Sequence, residues 1–191
     1  MHERQNMVAV DNDFLNHIVE TNLDECIIIK TLNELLSFFD VKAIIHPLVF
    51  QYEVPENEKI KAVFDDGIIS KVEFENILKN EDEKKYYIYL IRKLYRALLG
   101  KQLEFTDDEI FTRWIRLNSL GEIHSVSMCL VCGFGVFLSD DGDARKLKEY
   151  IEKNLIGKIE IYNRKQMFEK YKESGGSEIS RTERNKMSHI R

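Results

Sequence analysis

Four short apolar runs, each set between long segments of helical periodicity, decide what this chain can fold into. Met7-Val8-Ala9-Val10, Lys42-Ala43-Ile44-Ile45, Val136-Phe137-Leu138 and Lys158 to Tyr162 are three to five residues each. Apolar runs of that length bounded by turn residues suit strands and are too short for helices. Apolar residues recur at helical spacing over 14–21, 24–39, 82–99 and 144–154. Strands that alternate with helices predict a parallel sheet covered on both faces. The expected architecture is therefore α/β, a three-layer α/β/α arrangement around a short, mostly parallel central sheet.

Local signals mark the element ends. Pro47 fits the first turn of a helix that runs to about Val54, where Pro55 stops it. Gly100 closes the helix over 82–99. Thr106-Asp107-Asp108-Glu109 is a capping box that opens a helix reaching about Leu117, and Ser119-Leu120-Gly121-Glu122 repeats the signature for a helix ending near Gly133. Ile68 to Phe74 suits either a strand or a helix. Beyond residue 172 the chain is rich in Ser, Gly and charge, which predicts a mobile tail over 173–191. Residues 1–172 then form a single domain, with 56–105 as a variable helical region.

Composition narrows the setting. With 191 residues, 43% hydrophobic and 32% charged, the chain can bury a sizeable core without disulfides. Three cysteines is an odd, sparse count that points to reduced thiols and a cytoplasmic location. Cys129-Leu130-Val131-Cys132 falls inside an apolar helix with no second ligand pair, so buried thiols are expected there and not zinc. No apolar run reaches the roughly 18 residues that a membrane span needs, and the first residues do not form a secretory signal. A net charge of −5 argues against a broad nucleic-acid coating, while leaving room for one basic face.

Function enters through the acids. Two of the strands end in carboxylates, at Asp11 and at Asp140-Asp141. Sites in parallel sheets gather at the carboxyl ends of strands. Carboxylates brought together there repel unless a cation lies between them or one takes up a proton. Such hard oxygen donors suit Mg²⁺ or Mn²⁺, and an ion of that kind can activate water and neutralise charge on a phosphate.

Four segments carry a family resemblance: Val8-Ala9-Val10-Asp11-Asn12-Asp13-Phe14-Leu15, Pro47-Leu48-Val49-Phe50-Gln51-Tyr52-Glu53, Leu120-Gly121-Glu122-Ile123, and Phe137-Leu138-Ser139-Asp140-Asp141-Gly142-Asp143-Ala144-Arg145. In order and approximate spacing, over residues 7 to about 165, they resemble the PIN-domain nucleases. The resemblance implies an acidic set of Asp11, Glu53, Glu122 and Asp141, with Asp11, Glu122 and Asp141 as metal ligands and Asp140 as a substitute for Asp141. Asp13, Ser139 and Asp143 would be auxiliary, although Asp13 stands where the family often has a neutral residue. The implied activity is a Mg²⁺- or Mn²⁺-dependent endoribonuclease acting on single-stranded RNA, in the manner of a toxin whose partner is an antitoxin protein; a homodimer is also open.

Each acid has a competing local role. Glu122 can be the third residue of the capping box of Ser119, and Asp140 or Asp141 can simply cap the following helix. His46 and His124 lie near the acids in sequence and are expected to be structural. Lys84, Lys85, Arg92, Lys93 and Arg96, interleaved with tyrosines on one helix, are the candidates for binding RNA substrate, with Arg113, Arg116 and Arg145 at closer range. Two other functions remain open. Asp11-Asn12-Asp13 also fits the D-x-D start of a haloacid-dehalogenase-type phosphatase with Asp11 as nucleophile, and a catalytically silent interaction module would use the acids only as caps.

Overall fold

The structure, a computed structural model, describes residues 6–54, 58–115 and 119–189. Pro55, Arg116 and Leu117, each given a role above, lie outside the described residues. The first half runs β1 (Met7–Val10), α1 (Asn12–Val19), α2 (Glu25–Phe38), β2 (Lys42–Ile45), α3 (Pro47–Tyr52), α4 (Glu58–Asp65), β3 (Ile69–Lys71) and α5 (Phe74–Ile77). The second half runs α6 (Glu81–Leu99), α7 (Glu109–Thr112), α8 (Leu120–Cys132), β4 (Val136–Leu138), α9 (Gly142–Asn154), β5 (Glu160–Tyr162), α10 (Arg164–Glu173) and α11 (Arg181–Ser188).

All five strands are parallel, in the order β3-β2-β1-β4-β5. Side chains alternate across a strand, so each short run feeds two cores. Val8, Val10, Ala43, Ile45 and Leu138 pack on one face beneath α1, α2, α4, α10 and α11. Ala9, Ile44, Phe137 and Ile161 pack on the other beneath α6, α8 and α9. This double burial is why the strands read as unbroken apolar runs. From β1 the chain moves outward to β2 and β3, then returns to place β4 on the other side of β1. The order therefore reverses between β1 and β4, and sheets of this kind bind their ligands in a crevice at the carboxyl ends of the strands at that point.

Four features differ from the sequence expectations. Over 58–105 the region is not purely helical: β3 pairs with β2, while α6 packs along α8 with Leu90, Ile91 and Leu94 buried. Among the described residues, the helix opened at Thr106 covers only Glu109–Thr112, although Thr106 and Glu109 do exchange the two capping-box hydrogen bonds. Ser119 forms no capping box: it sits at φ +78° with no side-chain cap bond.

The fourth difference is the tail. Residues 173–189 carry regular structure packed on the domain. Ser180 and Glu183 form a capping box that starts α11, and Ile179 and Met187 are buried. The Tyr171 hydroxyl accepts from the backbone N–H of Glu178 (3.0 Å) and Ile179 (3.3 Å) and donates to Glu34 (3.1 Å). Below this helix lies Arg164, 3% exposed, whose guanidinium donates to the carbonyls of His17, Met187 and His189. Two apolar side chains and one arginine bound to three backbone carbonyls hold a helix whose composition alone is that of a solvated segment.

Candidate active site

Asp11 follows the last residue of β1, and its backbone N–H is held by the carbonyl of Leu138 in β4 at 2.9 Å. That bond fixes it beside the crevice. Its carboxylate accepts from the N–H of Asn12 at 2.8 Å, capping α1, and from the Ser139 hydroxyl at 3.1 Å. The same hydroxyl accepts from the N–H of Asp141 at 3.1 Å. Ser139 thus links Asp11 at the end of β1 to Asp141 beyond the end of β4. Asp141 in turn caps α9 by accepting from the N–H of Asp143 at 2.6 Å.

Glu53 closes α3 and is brought in from the other side. The side chain of Asn12 donates to its backbone carbonyl at 2.9 Å. Across from it lies Gly121, where an added Cβ would stand 2.8 Å from Glu53 Oε1, inside contact distance. Only glycine lets the start of α8 approach that carboxylate so closely. The next residue, Glu122, is buried in the first turn of α8. With Ser119 not capping, Glu122 is free of the local role that its spacing suggested.

Electrostatics ties the acids into one group. Burial, then the charges of Glu53 and Asp13, push Asp11 up to about 8. Burial, then Asp11, Asp141 and Asp13, push Glu122 up to about 8. Glu53 rises to about 7 through burial, then Glu122, Asp13 and Asp141. Asp13, exposed at the rim, is raised by partial burial, with Asp141 and Asp140 adding to it and His17 opposing. For Asp11, Glu53 and Glu122 the strongest neighbouring charges are other acids of the group, so the cluster must hold a proton or a cation near neutral pH. Its donors are all carboxylate oxygens, which fits Mg²⁺ or Mn²⁺ and not zinc. As the side chains stand, no three His, Cys, Asp or Glu among the described residues are close enough to ligate one ion. A ligating arrangement would need these side chains to turn toward one another.

The remaining expected residues are placed elsewhere. The Asp140 side chain is 3% exposed and bound by the Arg164 side chain, by the Arg164 N–H at 3.0 Å and by His17 Nδ1 at 3.1 Å. It therefore faces away from Asp11 and is no substitute for Asp141. Asp143 pairs with the Ser119 hydroxyl and with Lys146 (2.6 Å), which hold its carboxyl below the usual range and join α9 to the start of α8. Lys84 pairs with Glu81 at 2.9 Å, whereas Lys85, Arg92, Lys93 and Arg96 line a groove that none of the acids borders.

The histidines are structural. His46 Nδ1 accepts from the N–H of Leu48, so its proton is on Nε2, which donates to the Tyr87 hydroxyl at 2.8 Å. That hydroxyl then donates to His124 Nδ1 at 2.6 Å. Burial holds His46 well below its ordinary range and His124 at about 3, so both rings are neutral. Tyr87→Phe strands two buried acceptor and donor sites at a cost of about 1–3 kcal/mol. A melting temperature lower by about 2–10 °C is the expected reading by calorimetry.

Sequence reasoning missed Asn12, Gly121 and Arg164. Gly121 carried a readable signal, a glycine beside a candidate acid. Arg164 carried none, because only the pairing of β4 with β5 brings it to Asp140. Gly121→Ala tests the close approach. The added methyl displaces the Glu53 carboxylate, and catalysis by the cluster should fall at least about 10-fold while the melting temperature moves by no more than about 3 °C, since the displaced atoms end a flexible side chain. Comparison with protein-family models, with curated proteins and with solved structures finds no match to this chain.

Proposed function

We propose that this chain is a divalent-metal-dependent nuclease of the PIN type, an endoribonuclease that hydrolyses phosphodiester bonds in single-stranded RNA. One observation carries the reading. Asp11, Glu53, Glu122 and Asp141 come from four separate elements, and their charges act on one another near the carboxyl ends of β1 and β4, where the order of a parallel sheet reverses. Buried acids without a cationic partner are costly to a fold and are kept where chemistry uses them.

Asp11, Glu122 and Asp141 would hold Mg²⁺ or Mn²⁺, and Glu53 would complete the cup. When bound, the ion supplies an activated water and neutralises charge developing on the phosphate. The chain's own residues do the rest. Ser139 fixes the spacing of Asp11 and Asp141, Asn12 holds the turn that carries Glu53, and Asp13 at the rim draws the cation inward. The PIN resemblance extends the reading to a cytoplasmic toxin held by an antitoxin partner.

A phosphatase with Asp11 as nucleophile would pass through an aspartyl phosphate, so cleavage of RNA with no covalent intermediate separates the two readings. The test combines stability with activity. Millimolar Mn²⁺ should raise the melting temperature by about 5–10 °C, which corresponds to about 2.7 kcal/mol at a hundred times the dissociation constant. The same Mn²⁺ should support cleavage of single-stranded RNA that EDTA abolishes. No shift and no cleavage would return the acids to a silent interaction module.

A further inference from the structure

A groove of about 990 Å³ runs along α6, and none of its lining residues is acidic, although the chain carries a net charge of −5. Lys85, Tyr89, Arg92, Lys93 and Arg96 reach it from α6 and Tyr150 from α9. Helical spacing explains the stripe. Positions 85, 89, 92, 93 and 96 share one face, while Tyr87, Leu90, Ile91, Leu94 and Tyr95 occupy the opposite face and are buried. Arg92 is anchored to the next loop by Asp107 (2.7 Å) and the Phe105 carbonyl (3.0 Å). Lys85 and Arg96 are exposed, and Lys93 donates to the Tyr89 hydroxyl at 2.7 Å. The Tyr89 ring is 48% exposed and stacks on Tyr86 with centroids 6.1 Å apart.

We propose that this groove is a second contact for the RNA strand, gripping phosphates with Lys85, Lys93 and Arg96 and stacking an unpaired base on Tyr89. It rests on the nuclease reading only for the strand being the substrate. Extent decides for a strand. Lys85 and Arg96 are 11 residues apart, about 16 Å along the helix, which is farther than the phosphates of one nucleotide reach. A stacked strand carries a charge about every 3.4 Å, so the stripe matches about five nucleotides. The tyrosine faces decide for unpaired bases over an acidic peptide, because a base has a planar face to stack and a carboxylate chain has none. The groove is also separate from the acids. Tyr150 lies nine residues beyond Asp141, about 13 Å along α9, so a strand that touches both is at least about four nucleotides long.

The experiment is anisotropy of a labelled 12-nucleotide single-stranded RNA on the full chain in EDTA, where nothing is cut. The double variant Lys93→Gln, Arg96→Gln should bind at least about 10-fold more weakly. Its plot of log affinity against log salt should be shallower by about 1.4, that is 0.7 for each lost phosphate contact. Tyr89→Leu should weaken binding about 5- to 100-fold. In both variants the thermal response to Mn²⁺ should be unchanged. Variants that bind as the unaltered chain does overturn the proposal, as does equal competition by ATP or by polyglutamate. If the variants lose RNA binding while the unaltered chain neither responds to Mn²⁺ nor cleaves, the groove stands and the nuclease reading falls.

Discussion

Asp11→Asn should lose RNA cleavage by about 1,000-fold or more and yet melt higher than the unaltered protein at pH 8. The loss follows from removing the ligand that sits deepest in the cup. The gain follows from linkage. Burial and the neighbouring acids raise Asp11 from 3.8 to about 8, so between about pH 4 and 8 the folded chain binds this proton and the unfolded chain does not. Stability therefore falls as pH rises through that window, and the penalty is fully present above about pH 8. Asparagine keeps the geometry, with its oxygen accepting from Asn12 and its amide reaching Ser139, but it carries no charge. Because Glu53 and Glu122 share the titration, we expect about 2 kcal/mol of relief, near 4–8 °C, at pH 8 and almost none at pH 4. Melting curves of both proteins at pH 5, 6.5 and 8, without divalent ions, give the check. Parallel pH profiles would mean that Asp11 is not the strained acid. Mn²⁺ should reverse the ranking at pH 8 by favouring the ionised cup of the unaltered chain.

Arg164→Met should be the most destabilising single change away from the cup. It leaves the buried Asp140 carboxylate with only the His17 ring and a backbone N–H as partners, and it frees the carbonyls of His17, Met187 and His189. Breaking a buried pair from one side costs about 3–5 kcal/mol, or about 6–20 °C in melting temperature for a domain of this size. Arg164→Lys should rescue little, since an ammonium cannot serve four acceptors set around a planar fork. Adding Asp140→Asn to Arg164→Met removes the stranded charge and should recover more than half of the loss. Limited proteolysis gives a second measure: α11 should become cleavable in the single variant. A melting temperature within about 2 °C of the unaltered chain would remove the clamp from this account.

How far these features were legible depended on how local their causes are. The ends of β1 and β4 could be read because an apolar run followed by acids is a signal within six residues, and it placed Asp11, Ser139 and Asp141 together. β3 could not be read, since Ile69-Ser70-Lys71 holds a single apolar residue and pairs only with β2. Ser119 and Glu122 have capping-box spacing, but the Ser119 hydroxyl is taken by Asp143 and its backbone is left-handed, so the local rule fails there. The tail misled for a related reason. Composition averages over residues, whereas α11 is held by Met187, Ile179 and a guanidinium that comes from 25 residues before its farthest partner. Asp140 and Asp141 are neighbours in sequence with opposite fates, and only the position of β5 distinguishes them.

The hydroxyl of Ser139 and the carboxylate it binds are 128 residues apart along the chain. Closing a loop of that size costs about 4 kcal/mol of chain entropy before any contact repays it. Local helices can form early, but β1 cannot acquire its β4 neighbour until most of the polypeptide has condensed. The acidic cup is thus a late product of folding, and a half-folded chain holds its carboxylates dispersed in water, where they neither repel one another nor gather a cation.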